Sequence, residues 1–161
     1  MNGERPRRSE SRRHASTLGL VERLIVVAEV VQEVDVPVAI AAVRAELRSW
    51  ALDPVDLAAI STIISELGSN IVKYGDRGEL HVFVDFDEQD IPRRVTIVAD
   101  DKGPGIDDVD LALREQYSTG GSLGLGLSGV VHLSDRLDIE SRPALGLRVQ
   151  ATRRLRYGHE H

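Results

Sequence analysis

No cysteine occurs anywhere in the chain. Thiol catalysis, Cys-ligated zinc, iron–sulfur clusters and disulfides are therefore excluded, and the composition fits a reducing cytoplasm. No apolar run approaches the roughly 20 residues that a membrane-spanning helix needs, which argues against an integral membrane protein. The first 13 residues carry Arg without an apolar stretch, so they do not read as a secretory signal. A basic body is missing as well. The first 14 residues hold five Arg against two Glu and the last 11 hold three Arg against one Glu, leaving 15–150 with 12 basic and 23 acidic side chains. Phosphate-backbone binding draws on clustered Lys and Arg, so this acidic body does not suit a nucleic-acid binder.

What is present is an ordinary globular composition, 42% apolar and 29% charged over 161 residues. That length forms one domain and buries enough surface to need no staples. We expect a single domain over 17–155, an Arg-rich solvated head over 1–16, and a frayed tail over 156–161.

Leu24 to Val34 is rich in β-formers and reads as a strand, with a helix as its alternative. Pro37 opens a helix through about Trp50, placing Ile40, Val43 and Leu47 on one face. Asp53 is a candidate N-cap, Pro54 takes the first helical position, and Asp56 suits the helix dipole. Ile60, Ile63, Ile64, Leu67 and Ile71 then recur at helical spacing until Gly75 stops the helix. Beyond it the period becomes two: Leu80, Val82, Val84 and Phe86 alternate with polar neighbours, a half-buried strand. Further strands are expected at Val95–Ala99, Leu137–Ile139 and Leu145–Ala151, with helices at 108–115 and 125–133. Trp50 is expected to cover the core. Strands with one polar face point to a two-layer α/β (α+β) sandwich, a sheet covered by helices on one side.

Three motifs carry chemistry. Glu66 and Asn70 are four apart on the long helix and project to one side at the edge of its buried stripe. A partly desolvated carboxylate gains basicity, and an amide oxygen is a hard donor suited to Mg²⁺. Taken alone, such a pair is most often a solvated helix edge. Asp101-Lys102-Gly103-Pro104-Gly105-Ile106 follows a strand. Its carboxylate can accept from an exocyclic amine, and its glycines let the backbone approach a flat ligand; a polar turn is the alternative. Gly120-Gly121-Ser122-Leu123-Gly124-Leu125-Gly126-Leu127-Ser128-Gly129 runs into a helix, where bare N–H groups form a phosphate cradle. A flexible loop is the alternative there.

Gly124, Gly126 and Gly129 also match G-x-G-x-x-G, but late in the chain and not after the first strand of a βαβ unit, so dinucleotide binding ranks far behind. No Walker lysine follows the glycines. His132 and Asp135 lack a nucleophile elbow to serve, and His159 and His161 make no metal site by themselves.

The order of these motifs resembles the GHKL (Bergerat) ATP-binding fold, with its N, G1 and G2 boxes, over roughly residues 35–152. Within it, Tyr117-Ser118-Thr119-Gly120-Gly121 is similar to the RsbT-like switch-protein serine kinases more than to the anti-sigma factor kinases. Ser128 stands where proline is expected in RsbT-like chains.

The resemblance implies a mixed, mostly antiparallel sheet, and it implies roles. Asn70 would hold Mg²⁺ and Glu66 would take the proton from a protein serine hydroxyl. Asp101 would bind the adenine amine with Gly103, Gly105 and Ile106 around the ring. Gly124, Leu125, Gly126 and Leu127 would cradle phosphates, and residues 117–123, with Ser118, Thr119, Gly120 and Gly121, would close as a lid. It further implies a serine/threonine kinase using ATP and Mg²⁺ on a STAS-domain partner, often within a stressosome, with a PP2C-type phosphatase as a second partner. An anti-sigma factor sequestering a sigma factor is the alternative. Neither nucleic acid nor membrane is expected as a partner.

Overall fold

The computed structural model describes residues 19–110 and 127–156. Its elements run β1 (Val21–Val30), α1 (Asp35–Leu47), a 3-10 turn (Arg48–Trp50), α2 (Pro54–Tyr74), β2 (Gly78–Phe86), β3 (Pro92–Asp101), α3 (Leu127–Leu133), β4 (Arg136–Arg142) and β5 (Gly146–Arg154). The strands form one sheet in the order β1-β2-β3-β5-β4. All four pairings are antiparallel.

The period-two pattern settles the sheet's two faces. Leu80, Val82, Val84 and Phe86 on β2, Val95, Ile97 and Ala99 on β3, and Val149 and Ala151 on β5 are all buried. They share one core with Ile60, Ile63, Ile64, Leu67 and Ile71 of α2. Trp50 meets Phe86 edge-on with ring centroids 5.1 Å apart, closing the core's end as expected. The two-layer sandwich is therefore the fold. By length and a mean hydropathy of 1.3, α2 could cross a bilayer. Its apolar stripe is instead buried on the sheet, and its other side carries Ser65, Glu66, Ser69, Asn70 and Lys73.

Several boundaries differ from the sequence expectations. The first strand ends at Val30, not Val34, because the Asp35 carboxylate accepts the N–H groups of Val31 and Gln32 at 2.9 and 3.0 Å and bends the chain. Helix α1 consequently starts at Asp35, with Pro37 inside its first turn. This rotates its buried face to Val36, Ala39, Val43 and Leu47, leaving Ile40 half-buried. Val36 fits because α2 has Gly68 opposite; a Cβ there would lie 3.0 and 3.1 Å from the two Val36 methyls. Leu145 belongs to the β4–β5 turn, 69% exposed, and not to a strand. Of the helix expected at 108–115, only Val109 and Asp110 are helical within the described residues, and the helix expected at 125–133 is described from Leu127.

Candidate nucleotide site

Helix α2 sets the frame. Asp53 caps its start, Oδ1 accepting the Val55 N–H at 2.7 Å, and Gly75 ends it, donating to the Ile71 carbonyl at 2.9 Å. Asp56 stands in the first turn of α2, as expected of an acid that suits the helix dipole, and it does more than that. It is wholly buried and paired with Arg153 through Nε at 2.9 Å and Nη2 at 2.8 Å. Its Oδ2 accepts the Arg156 N–H at 2.7 Å, and Arg153 Nη1 donates to the Leu133 carbonyl at 2.7 Å. This network clamps the start of α2 to β5 and to the end of α3. A helix held at that end presents Glu66, Asn70 and Lys73 from a rigid support.

At the other end of α2 lies Asp101, the last residue of β3 and only 7% exposed. Its Oδ1 accepts two backbone N–H groups, Gly103 at 2.9 Å and Leu147 at 3.0 Å. Both bonds fall on one oxygen, so Oδ2 keeps its accepting capacity. The loop after Asp101 is pinned from two sides. Lys102 N–H donates to the Arg77 carbonyl at 3.0 Å, while Ala144 N–H donates to Pro104 at 2.9 Å. Ile106 N–H donates to the Ser141 hydroxyl at 2.6 Å. Gly105 makes the bend at φ +76, where a Cβ would also stand 2.7 Å from Ser141 Oγ, so glycine is required twice over.

A cavity of about 400 Å³ opens here, lined by Lys73, Tyr74, Asp101, Pro104, Gly105, Ile106 and Leu147. A buried carboxylate, apolar walls and a lysine make a pocket for a ligand with a flat, hydrogen-bond-donating base and an anionic group attached to it. Asp101, Gly105 and Ile106 are thus brought together as the sequence suggested. Gly103 lies close behind them, packed on α2's end, where a Cβ would be 2.5 Å from the Tyr74 carbonyl. The Leu127 side chain is in the core, 1% exposed, so only its backbone can face a ligand.

Glu66 and Asn70 do not line this cavity. They sit further back along α2, Asn70 about 4.5 Å and Glu66 about 10 Å of helix rise from Lys73. Both are half-buried. The Glu66 stem faces α3, its Cγ 4.0 Å from where a Gly129 Cβ would be. Among the described residues no group of three His, Asp or Glu could hold a metal by itself. One amide oxygen, from Asn70, fits an ion that takes its remaining ligands from phosphates and water. Tyr117, Ser118, Thr119, Gly120, Gly121, Gly124, Leu125 and Gly126 lie outside the described residues.

Sequence reasoning missed Lys73, Tyr74, Ser141 and Leu147. Lys73 was findable, since it continues the Glu66–Asn70 stripe at i+3. Ser141 and Leu147 reach the loop only through the β4–β5 hairpin, which leaves no local signal.

The chain is similar to known proteins. The sequence profile described as histidine kinase-, DNA gyrase B-, and HSP90-like ATPase matches residues 55–156. The chain is 38% identical over 102 residues to the serine/threonine-protein kinase RsbT of Bacillus subtilis, spanning 63% of this chain and 75% of that protein. It is 32% identical over 111 residues to an anti-sigma F factor of Oceanobacillus iheyensis, spanning 65% and 75%. Among solved structures, the RsbU and RsbW domains of a Mycobacterium tuberculosis protein align at 20% identity with a TM-score of 0.54. That alignment covers 81% of this chain and 32% of the other, and it speaks to fold alone.

Proposed function

This chain belongs to the histidine kinase-, DNA gyrase B- and HSP90-like (GHKL) ATPase family, and we propose that it is a cytoplasmic Mg²⁺-ATP-dependent protein serine/threonine kinase of a bacterial partner-switching pathway. Its substrate is a hydroxyl-bearing residue on a STAS-domain protein, and a PP2C-type phosphatase is a second partner. One observation carries the reading: the cavity that ends on Asp101 shares Lys73 with the helix stripe bearing Asn70 and Glu66.

Asp101 Oδ2 accepts the exocyclic amine of adenine, with Gly105 and Ile106 against the ring. Lys73 offsets phosphate charge in a body that is otherwise acidic. Asn70 would hold Mg²⁺, which supplies further charge neutralisation at the phosphates when bound. Glu66 accepts the proton of the acceptor hydroxyl as its oxygen bonds to the γ-phosphorus; the bond to the β–γ bridging oxygen breaks and ADP leaves with that electron pair. By the family resemblance, Gly124 and Gly126 would supply backbone donors to the phosphates, and Ser118, Thr119, Gly120 and Gly121 would belong to the lid.

The test is Glu66→Gln. Nucleotide affinity should stay within about twofold while phosphate transfer to the purified STAS protein, followed by intact mass, falls by at least 10²-fold. Retained transfer would remove Glu66 from the role of base. Identity to an anti-sigma F factor favours a second reading, in which the chain sequesters a sigma factor and its ATP site acts as a switch. A sigma factor retained with no mass change on any partner would select that reading.

A further inference from the structure

The β4–β5 hairpin holds the end of β3 from both faces of the sheet. Asp100 and Asp101 are successive residues of β3, so their side chains leave it on opposite faces. Asp101 turns to the nucleotide cavity, and Asp100 to the face away from the helices. On the cavity side, Leu147 N–H donates to Asp101 Oδ1 at 3.0 Å, and the Ser141 hydroxyl accepts from Ile106 N–H at 2.6 Å. On the other side, Arg142 Nη2 reaches Asp100 Oδ1 at 3.2 Å and Arg148 Nη1 reaches Oδ2 at 3.1 Å. Each strand of the hairpin therefore sends one residue to each face, 141 and 142 from β4 and 147 and 148 from β5.

The turn between these strands is shaped for the same contact. Ala144 sits at φ +63, a left-handed conformation that a residue with a Cβ adopts only at a cost. In that conformation its N–H donates to the Pro104 carbonyl at 2.9 Å. Gly146 follows at φ +126, where a Cβ would overlap the Asp101 carbonyl. The loop that carries Asp101 is thus gripped at its start, its middle and its end.

This grip has a chemical consequence. Oδ1 is occupied by the N–H groups of Gly103 and Leu147, so a base meets Oδ2 pointing in one direction. Adenine presents a donor at its exocyclic amine, beside a ring nitrogen that accepts. Hypoxanthine presents a carbonyl in place of the amine, beside a ring nitrogen that donates. A carboxylate free to swing can follow the donor from one position to the other, and a fixed one cannot.

We infer that Ser141, Arg142 and Arg148 are positioning residues for base selection: by fixing where Asp101 points, they make the cavity take 6-aminopurine nucleotides in preference to 6-oxopurine ones. The inference rests on the nucleotide reading above. None of the three lines the cavity, so each acts through Asp101 and its loop.

The test compares ATP with inosine triphosphate, which differs from it only along that edge of the base, by calorimetric titration of the full chain with Mg²⁺ present. The parent chain should prefer ATP by at least about tenfold. Ser141→Ala removes the acceptor of the Ile106 N–H. It should weaken ATP about fivefold, the scale of one hydrogen bond, while inosine triphosphate stays within about twofold. Ser141→Thr keeps the hydroxyl and should restore the parent's ratio. Arg142→Met/Arg148→Met changes side chains that are 43% and 42% exposed, so it carries the test even if Ser141→Ala does not fold. It should lower the ratio in the same direction by about two- to threefold, because exposed ion pairs are individually weak. A role in stability alone would lower the melting temperature and weaken both nucleotides by one factor, and that result overturns the inference. So does a ratio unchanged in the variants, or a parent chain that binds the two nucleotides equally; in both cases the nucleotide site itself stands. A parent chain that binds neither nucleotide overturns the nucleotide reading and the inference with it.

Discussion

Asp101 Oδ1 accepts the N–H of Leu147 at 3.0 Å, tying the last residue of β3 to the beginning of β5 across 46 positions of chain. The same oxygen holds Gly103, so the carboxylate is oriented before any ligand arrives. Preorganisation of that kind leaves one oxygen, Oδ2, to recognise the ligand.

Asp101→Asn keeps a carbonyl oxygen for the two backbone donors but turns an amide N–H₂ toward the pocket. A donor then faces the adenine amine. ATP affinity should fall by roughly 1.5–3 kcal/mol, about ten- to a hundredfold, with the melting temperature little changed. Calorimetric titration with ATP reads this directly, and an unaltered affinity would take Asp101 out of the site.

Gly75→Ala reaches the same carboxylate from behind. Gly75 sits at φ −97, which alanine adopts freely, so backbone conformation is not at issue. The added Cβ would stand 2.6 Å from Asp101 Cβ and 2.7 Å from its Cγ, and the Asp101 side chain has to move. Nucleotide binding should weaken while the far-UV circular dichroism spectrum stays that of the parent. Full affinity in this variant would mean that the pocket does not depend on where Asp101 points.

The Asp56–Arg153 pair tests the support and not the chemistry. With Asp56 wholly buried and Arg153 9% exposed, Asp56→Ala leaves a guanidinium in the core without its countercharge. A loss of about 3–5 kcal/mol in urea denaturation is expected, and the double variant Asp56→Leu/Arg153→Met should recover most of it. If the double variant is as unstable as the single one, the pair's value lies in its hydrogen bonds to Arg156 and Leu133.

Asp35 links stability to acid pH. The N–H groups of Val31 and then Gln32 hold its carboxyl below the usual carboxylate value, outweighing a small opposing effect of burial. A pKa depressed by folding means that the native state binds the proton less readily than the unfolded chain. Its contribution is complete above about pH 4, the unfolded value, and disappears as pH falls through the lower, native value. Urea midpoints measured from pH 5 down to 2 should decline less steeply for Asp35→Asn than for the parent chain.

Much of the fold was legible locally. The Asp53-Pro54 start, the Ile60–Ile71 stripe and the Gly75 stop delimit α2 because caps and periodicity act within one turn of helix. The alternation of Leu80, Val82, Val84 and Phe86 likewise identifies the buried face of β2. The start of α1 was misplaced because a run of β-branched residues outranked Asp35, whose capture of two N–H groups is a three-dimensional event. The buried pairing of Asp56 was not legible for a similar reason: its partner, Arg153, is 97 residues away, and no window of sequence joins them.

What the sequence determined by itself is therefore the set of elements and the residue types available for chemistry: a carboxylate and an amide one helical turn apart, an Asp-x-Gly-x-Gly loop, and a glycine-rich approach to α3. Tertiary structure alone decided how they meet. The hairpin of β4 and β5 brings Ser141 and Leu147 to the Asp101 loop, Lys73 joins the cavity from α2, and Gly68 admits Val36 so that α1 packs closely on α2. Those contacts depend on sheet order and on close approach between distant backbones, and helical or strand periodicity encodes neither.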